Sequence, residues 1–369
     1  MDPNILRLAM GGAGAGGADN KLYAWGRNVY GQLGLGDITS RSSPVQVGAL
    51  TTWSNVWAGN GHTVAIKNDG TLWTFGYNNA GQLGLGNTTN RSSPAQVGSL
   101  TTWSTVATGS SHTAAIKTDG TLWTFGFNGV GQLGLGDTTN RSSPVQVGAL
   151  TTWARVAAGS NHTAAIKTDG TLWTFGFNDN GQLGLGDTTY RSSPVQVGSL
   201  TTWASVGAGY LHTAAIKTDG TLWTFGKNTH GQLGLGDTTN RSSPVQVGAL
   251  TTWLSVAGGT YHTVAVKTDG TLWAFGRNSF GQLGQGNTTY RSSPVQVGAL
   301  TTWLSAAAGY SYTAAIKTDG TLWTFGYNNS GQLGLGDTTN RSSPVQVGSL
   351  TTWASVAAGF DHAAAITES

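Results

Sequence analysis

Residues 201–250 read TTWASVGAGYLHTAAIKTDGTLWTFGKNTHGQLGLGDTTNRSSPVQVGAL. Four short apolar runs lie in this stretch: Ser205–Gly209, His212–Lys217, Thr221–Gly226 and Ser243–Val247. None has the 3.6-residue period of a helix, and the aromatics of TLWTFG favour strand. Thr218-Asp219-Gly220 joins the second run to the third, with glycine at the place where a type I turn closing on a bulge needs positive φ. Pro244 opens the fourth run; without an N–H to donate, it belongs at a sheet edge. The three inner runs are apolar on both faces, which suits a sheet sandwiched between neighbouring sheets. The first run is the smallest in volume and fits a crowded axis. The stretch therefore reads as a four-stranded antiparallel unit, with run one innermost and run four outermost. In the long connection from Gly226 to Ser242, Leu233 and Leu235 are expected to tuck against the unit.

The same stretch recurs every 50 residues. Trp53, Trp103, Trp153, Trp203, Trp253, Trp303 and Trp353 share one repeat position. Six copies, 51–100 to 301–350, are complete; Lys21–Leu50 is the second half of a copy and Thr351–Ile366 the first half. A period of this size means stacked or circular supersecondary units. A split copy is what closes a ring. The expected fold is all-β: a seven-bladed β-propeller of four-stranded antiparallel blades, closed by the N- and C-terminal half-repeats. Residues 1–18 form an N-terminal arm with a Gly/Ala tether, and residues 19–369 form the propeller. The Asp-Gly turn is replaced before the first half copy by Asn20, expected to take the same positive φ.

Composition narrows the function classes. Charged residues are 9% of the chain, against roughly 25% in ordinary globular proteins. The surface must be neutral and polar. The net charge of +3 is spread over the repeats, so no basic stripe marks a nucleic-acid binder. The chain has no cysteine, which removes disulfides and thiolate chemistry. No stretch approaches the roughly 20 apolar residues of a membrane span. The arm MDPNILRLAMGGAGAGGA carries Asp2 where a signal peptide has positive charge, and Arg7 interrupts its apolar run. It reads as a tether, or as a peptide that docks the ring on a larger assembly.

The repeated motifs read as structural. Gly231-x-x-Gly234-x-Gly236 lacks the Lys-Ser/Thr of a phosphate loop and opens no helix, so these are turn glycines. His62, His112, His162, His212, His262 and His362 share one position, one per blade, with Tyr312 in the remaining copy. Spread around a ring they cannot gather on one metal ion; a structural hydrogen bond is expected. Asp137 and Arg141 share a loop, and Asn87 or Asn287 replaces the acid in two copies. Asparagine keeps a local turn but loses the charge, so the position serves the backbone. No Ser-His-Asp set or glycosidase pair is unique to one place. No enzyme and no cofactor are expected. The tryptophans of TTW and TLW, Trp223 among them, are expected in the core.

The AGxxHT, DGxLWxFGxN and GQLGLG segments recur in this order over residues 19–369 and make the chain resemble the RCC1-repeat family, the seven-bladed propellers named for the regulator of chromosome condensation. That resemblance implies the fold. It implies no single activity, because the family includes a nucleotide exchange factor for a small GTPase, an ultraviolet photoreceptor and a secreted inhibitor of β-lactamases. The photoreceptor's tryptophans in GxxHT are here Asn60, Ser110, Ser160, Tyr210, Thr260, Tyr310 and Phe360, which argues against photoreception. The blades are too uniform to show an exchange factor's inserted wedge. Near-identical Thr/Asn/Gly-rich arrays of this kind resemble proteins of bacteria and their phages.

What differs between copies is confined. The two residues before His vary, as do those around GxNxxG and the position of Tyr190 and Tyr290; the pair after TTW varies too, as in Ser54-Asn55, Ala154-Arg155 and Leu254-Ser255. In a four-stranded meander the loops after runs one and three lie on one face, and the TDG turn and GALTTW on the other. One variable face on an invariant scaffold is how a binding surface is built; the competing explanation is neutral drift. Tyr210, Leu211, Tyr261, Tyr310, Phe360 and Asp361 precede the histidine or its equivalent in four successive blades. Arg27, Tyr30, Lys227, His230, Arg277, Phe280, Tyr290 and Tyr327 lie in the companion loops. Together they make a candidate partner-binding arc of aromatic and basic residues. The reading is a non-enzymatic propeller that binds a protein, or a surface glycan, through this face. Its expected setting is a phage virion or bacterial cell surface, attached through the arm, with a cytoplasmic location left open. The alternatives are a secreted inhibitor that caps an enzyme and a guanine-nucleotide exchange factor.

Overall fold

A computed structural model describes residues 19–368; the expected arm and tether, residues 1–18, lie outside the described residues. Twenty-eight strands, β1 to β28 in chain order, build seven four-stranded antiparallel sheets, with no helix among the described residues. One blade shows the pattern: β3 (Trp53–Ala58), β4 (His62–Lys67), β5 (Leu72–Gly76) and β6 (Arg91–Gln96), hydrogen-bonded in that order. Run one is innermost: its residues line the axis in every blade. The proline strand β6 is the outer edge. The outer strand starts two residues earlier than the apolar pattern suggests, at the arginine, because Arg91 pairs with Gly76 across a bulge.

The closing blade has the order β2 (Arg41–Gln46), β1 (Lys21–Gly26), β28 (His362–Thr367), β27 (Trp353–Ala358). β1 and β28 pair in unbroken register from Lys21↔Thr367 to Gly26↔His362. The two chain ends therefore share one sheet, as the split copy requires.

The core is a set of layers between blades. Ala214, Ile216, Leu222 and Val247 of one blade meet Trp253, Ala265 and Phe275 of the next. Each blade is hydrophobic on both faces because each face meets a neighbour. Gly220 has φ 77°, and a Cβ there would collide with the Thr251 carbonyl, so the turn needs glycine on two counts. Asn20 differs from expectation: no residue but glycine has positive φ among the described residues. No hairpin turn precedes β1, since its partner β28 is the other end of the chain. Asn20 instead forms a parallel bridge with Thr52.

The long connection folds on its own side chains. Asn228 Nδ2 donates to the Asp237 carbonyl at 3.1 Å, and Leu233 N donates to Asn228 Oδ1 at 2.9 Å. Leu233 is buried and Leu235 half-buried against the blade. Asp187 accepts from Thr189 N at 2.9 Å and from Arg191 Nη2 at 2.6 Å. Asn87 keeps the first of these bonds, from Thr89 N at 3.0 Å, so the loop survives loss of the charge.

The two tryptophan sets part company. TTW indoles are buried, Trp203 at 3% exposure. TLW indoles, Trp223 included, are only half-buried, so they are not the core residues expected. Trp223 packs one side on the preceding blade's cluster, crosses Trp203 edge-on at 6.3 Å and donates to Thr221 Oγ1 at 2.9 Å. Lys217 Nζ stands 3.6 Å from its ring centre. A lysine, whose ammonium must stay near water, covers this ring where a neighbouring blade would have buried it.

The six histidines join the blades. His62 Nε2 meets Thr113 Oγ1 of the next blade at 3.1 Å, and His362 meets Thr63 at 2.9 Å. Each such threonine donates its hydroxyl to a glutamine carbonyl, as Thr113 does to Gln82 at 2.9 Å. The hydroxyl hydrogen is thus spent, and the histidine must donate through Nε2–H. All six rings are fully buried, and burial pushes His62 and His212 down to about 4 and His112, His162, His262 and His362 to about 3.

One interface breaks this pattern in three places at once. Before the closing blade the histidine is Tyr312, the threonine is Ala363, and the Phe of the TLWTFG run is Trp25. Trp25 Nε1 donates to the Gln332 carbonyl at 2.9 Å, the acceptor the threonine takes elsewhere. Tyr312 Oη donates to the His362 carbonyl at 2.6 Å. The three departures are one rearrangement: no threonine is present to receive a histidine, and none is needed.

Candidate functional site

The ring has two unlike ends. At one end Lys227 N donates to Leu211 O at 2.9 Å and Tyr327 N to Ser311 O at 2.9 Å, tying the loop after run three to the loop before the histidine. At the other, Thr218 N donates to Thr202 O at 2.8 Å and Trp253 N to Gly220 O at 3.1 Å, tying the TDG turn to the inter-blade connection. The two classes of variable loop therefore share a face, as the meander requires. Around its axial mouth, backbone bonds pass from blade to blade: Ser160 N to Tyr210 O, Tyr210 N to Gly259 O, Tyr310 N to Phe360 O and Phe360 N to Gly59 O, at 3.1 to 3.3 Å. Tyr210, Tyr310 and Phe360 line this mouth.

Most of the candidate residues meet. Tyr210 lies 6.4 Å from Tyr261, Tyr261 4.8 Å from His230, and His230 5.7 Å from Tyr290. Lys227 Nζ stands 5.3 Å from the Tyr261 ring centre, and Arg277 bridges Tyr261 at 5.7 Å and Phe280 at 5.8 Å. Phe280 then packs on Tyr327 at 4.7 Å, Tyr327 on Tyr310 at 6.5 Å, and Tyr310 stacks on Phe360 at 4.0 Å. Ring-to-ring packing leaves these side chains half-buried on the surface, held in place without a partner. Tyr290 is the exposed member at 45%; its hydroxyl lies 2.6 Å from Ser279 Oγ.

The arc runs on into the closing blade. Arg27 N donates to Asp361 O at 2.8 Å, its guanidinium lies 3.6 Å from Asp361 and 5.9 Å from the Tyr30 ring centre. Burial raises the Asp361 carboxyl above its usual range, and Arg27 partly offsets this. Leu211 is half-buried beside the arc but contributes its backbone carbonyl rather than a ring contact. His230 is held below its usual value by burial first and by Arg277 and Lys227 next, so the arc's positive charge near neutral pH comes from Lys227, Arg277 and Arg27.

Tyr77 belongs to the site and is absent from the sequence-based set. It packs on Tyr30 at 4.4 Å and carries the arc into the blade of 51–100. The signal was there: the position holds Arg27, Tyr77, Phe127, Phe177, Lys227, Arg277 and Tyr327, aromatic or basic in every blade. A separate pair, Phe177 and Tyr190 at 4.9 Å, sits outside the arc. Among the described residues no three His, Cys, Asp or Glu side chains converge as a metal site would need.

The comparisons with known proteins agree with this architecture. The family model described as the RCC1-like domain matches residues 152–365, and that of the regulator of chromosome condensation (RCC1) repeat matches 19–66, 69–116 and 119–166. Human WBSCR16 superposes with a TM-score of 0.85 at 22% identity, over 95% of this chain and 100% of that one. Prp20p of Saccharomyces cerevisiae, described with its binding properties to Gsp1p and histones, superposes with a TM-score of 0.88 at 18% identity, over 100% of this chain and 95% of that one. Yeast RCC1 (Prp20) in a structure with Kap60 gives a TM-score of 0.86 at 18% identity, over 98% of this chain and 91% of that one. At these identities the likeness is one of fold.

Proposed function

The chain belongs to the RCC1-repeat family, and from that premise we propose that it is a non-enzymatic binding propeller that holds a protein partner through its variable face. One observation carries the reading: the rings from Tyr210 to Phe360 form a continuous packed series, interleaved with Lys227 and Arg277. Aromatics and arginine dominate the energy of most interfaces. Rings already packed in the free protein lose little side-chain freedom on binding. Relatives of this fold bind proteins: Prp20p is described with Gsp1p and histones, and in a complex with Kap60. The setting we propose is a virion or a bacterial surface, with residues 1–18 as the attachment. An enzyme-capping inhibitor or an exchange factor would use the same face on a different partner.

The test is co-purification of the full chain from its native source, then binding of the purified partner to wild type, to the triple variant Tyr261→Ala/Tyr310→Ala/Phe360→Ala, and to a chain lacking residues 1–18. A large particle that is retained by the triple variant and lost without the arm would support attachment but not the face. A soluble partner lost by the triple variant supports the face. Inhibition of a soluble enzyme, or accelerated nucleotide release from a GTPase, would select between the alternatives.

A further inference from the structure

An ion pair that most blades keep is lost in two of those that carry the arc. An arginine opens each outer strand. Arg41, Arg141, Arg191, Arg241 and Arg341 each reach the aspartate four residues before them, at 2.5 to 2.6 Å. Each also donates to the threonine carbonyl two residues before it, as Arg241 Nη1 does to Thr239 at 2.8 Å. In the blades of 51–100 and 251–300 the acid is Asn87 or Asn287. The asparagines keep the turn, since Thr89 N and Thr289 N still donate to them at 3.0 and 2.9 Å. Only the neutralisation is gone. Neither Arg91 nor Arg291 has an ion pair or a side-chain hydrogen bond among the described residues, and Arg291 Nε is buried without a partner.

Both arginines adjoin arc residues in the chain and in the ladder. Arg291 follows Tyr290, whose ring lies 5.7 Å from His230, and pairs across the strands with Gly276, the residue before Arg277. Arg91 pairs with Gly76, the residue before Tyr77. Lys227 and Arg277 both stand over the Tyr261 ring, and neither has a carboxylate partner among the described residues. The acids along the arc are already engaged: Asp37, Asp237 and Asp337 hold their arginines, and Asp361 holds Arg27. The arc therefore presents positive charge that nothing on its own loops neutralises. The blades of 101–150 and 151–200, outside the arc, keep their pairs. Opposite charge on a partner supplies what the loops lack, and steers its approach.

We propose, on the reading that the variable face holds a protein, that what it takes is an acidic segment of that partner, with Asp or Glu side chains set between apolar ones. The carboxylates meet Lys227, Arg277 and Arg291, and the apolar side chains meet the edges of Tyr261, Tyr290 and Phe280. A guanidinium takes a carboxylate through two parallel N–H bonds. A single-stranded nucleic acid also uses cations and rings, but it stacks its bases on open ring faces. Here the rings face each other: Tyr310 stacks on Phe360 at 4.0 Å, and His230 lies against Tyr261 at 4.8 Å. Carboxylates between apolar side chains fit that surface better than bases do.

Fluorescence anisotropy of the full chain with a labelled decapeptide of glutamate and tyrosine tests this, beside the same peptide with lysine for glutamate and an oligothymidylate of equal length. The acidic peptide is expected to bind saturably, and more weakly as sodium chloride is raised; the basic one is not expected to bind. Asn287→Asp restores the pair that five blades keep, so it should fold as well as wild type. It should weaken the acidic peptide about two- to fivefold, the worth of one exposed ion pair. Asn287→Ser adds no charge and keeps an oxygen for the turn, so it should leave binding unchanged. Asn287→Asp combined with Lys227→Gln and Arg277→Gln should weaken binding about tenfold or more. No saturable binding of the acidic peptide, tighter binding of the oligonucleotide, or an affinity indifferent to the charge triple variant overturns the proposal. Loss of the native partner by Tyr261→Ala/Tyr310→Ala/Phe360→Ala, with indifference to the charge triple variant, overturns the acidic class and leaves the face standing. Unaltered affinity of that partner for both triple variants overturns both.

Discussion

The two faces of the ring are built from the same strands and behave as opposites. On the constant face, each complete copy repeats one network: Asp219 accepts from Thr221, Thr221 accepts from Trp223, and Lys217 stands over that indole. Asp69, Asp119, Asp169, Asp269 and Asp319 accept from their threonines in the same way. The loops of the variable face have a repeated frame of their own, in which Asn228 Oδ1 accepts from Leu233 N and Gln232 Oε1 from His230 N, but the side chains set on that frame follow no repeat. They differ from blade to blade, and where they touch they touch as rings and cations across blades. A position that holds a turn is kept in every copy on either face; a position that does not can vary. The constant face fixes its outward side chains through their own turns, whereas the variable face leaves its outward side chains free to differ.

The comparison presupposes a closed ring, and the largest effect comes from breaking it. Deleting residues 351–369 removes β27 and β28 and leaves β1 with an unpaired edge against which another chain can pair. Aggregation or oligomers by size-exclusion chromatography are expected. A truncated monomer with an unchanged melting point would refute the closure. Within the ring, Phe225→Ala at a fully buried inter-blade position should cost about 3–5 kcal/mol in denaturant titration. The half-buried Trp223→Ala should cost clearly less. Equal costs would mean that the constant-face indoles are core after all.

The closing interface gives a sharper test. Tyr312→His places a buried Nε2–H opposite Ala363, where no acceptor stands, and should cost about 1–3 kcal/mol. Adding Ala363→Thr and Trp25→Phe rebuilds the ordinary His–Thr–Gln arrangement and should recover most of the loss. If the triple variant is no better than the single one, the three residues are not coupled.

The histidines set the response to acid. Their folded values, about 3 to 4, lie below the ordinary 6.5. The unfolded chain therefore binds more protons between these limits, and stability must fall as pH drops below 6.5. Denaturant midpoints at pH 7.5 and pH 5 should show the loss; a flat profile would contradict the burial of neutral imidazole.

Much of this was readable from residues 201–250 and their copies: the strand order, the outer proline strand, the split closing blade and the face on which copies differ. Those features follow from period, turn chemistry and meander geometry, which are local. The rest depends on who meets whom across blades. Trp25, Tyr312 and Ala363 look like three unrelated deviations until the structure shows that Trp25 takes the Gln332 carbonyl. Asn55 looks like drift after TTW until the structure places it on the wall of the axial cavity. The TLW pattern cannot tell a tryptophan under a neighbouring blade from one under lysine. Tyr77 was a matter of reading one repeat column in full.

The division of labour proposed is recognition by the variable face and stabilisation by the constant one. Its most direct test is the affinity of the identified partner for Tyr310→Ala and Phe360→Ala beside Lys117→Ala and Asp119→Ala, each with its melting curve. The account predicts that the first pair loses about 2 kcal/mol or more of binding each, as interface anchors do, with stability nearly unchanged, and that the second pair loses stability and keeps affinity. A partner whose binding falls with Lys117→Ala or Asp119→Ala and is indifferent to Tyr310→Ala and Phe360→Ala would contradict it.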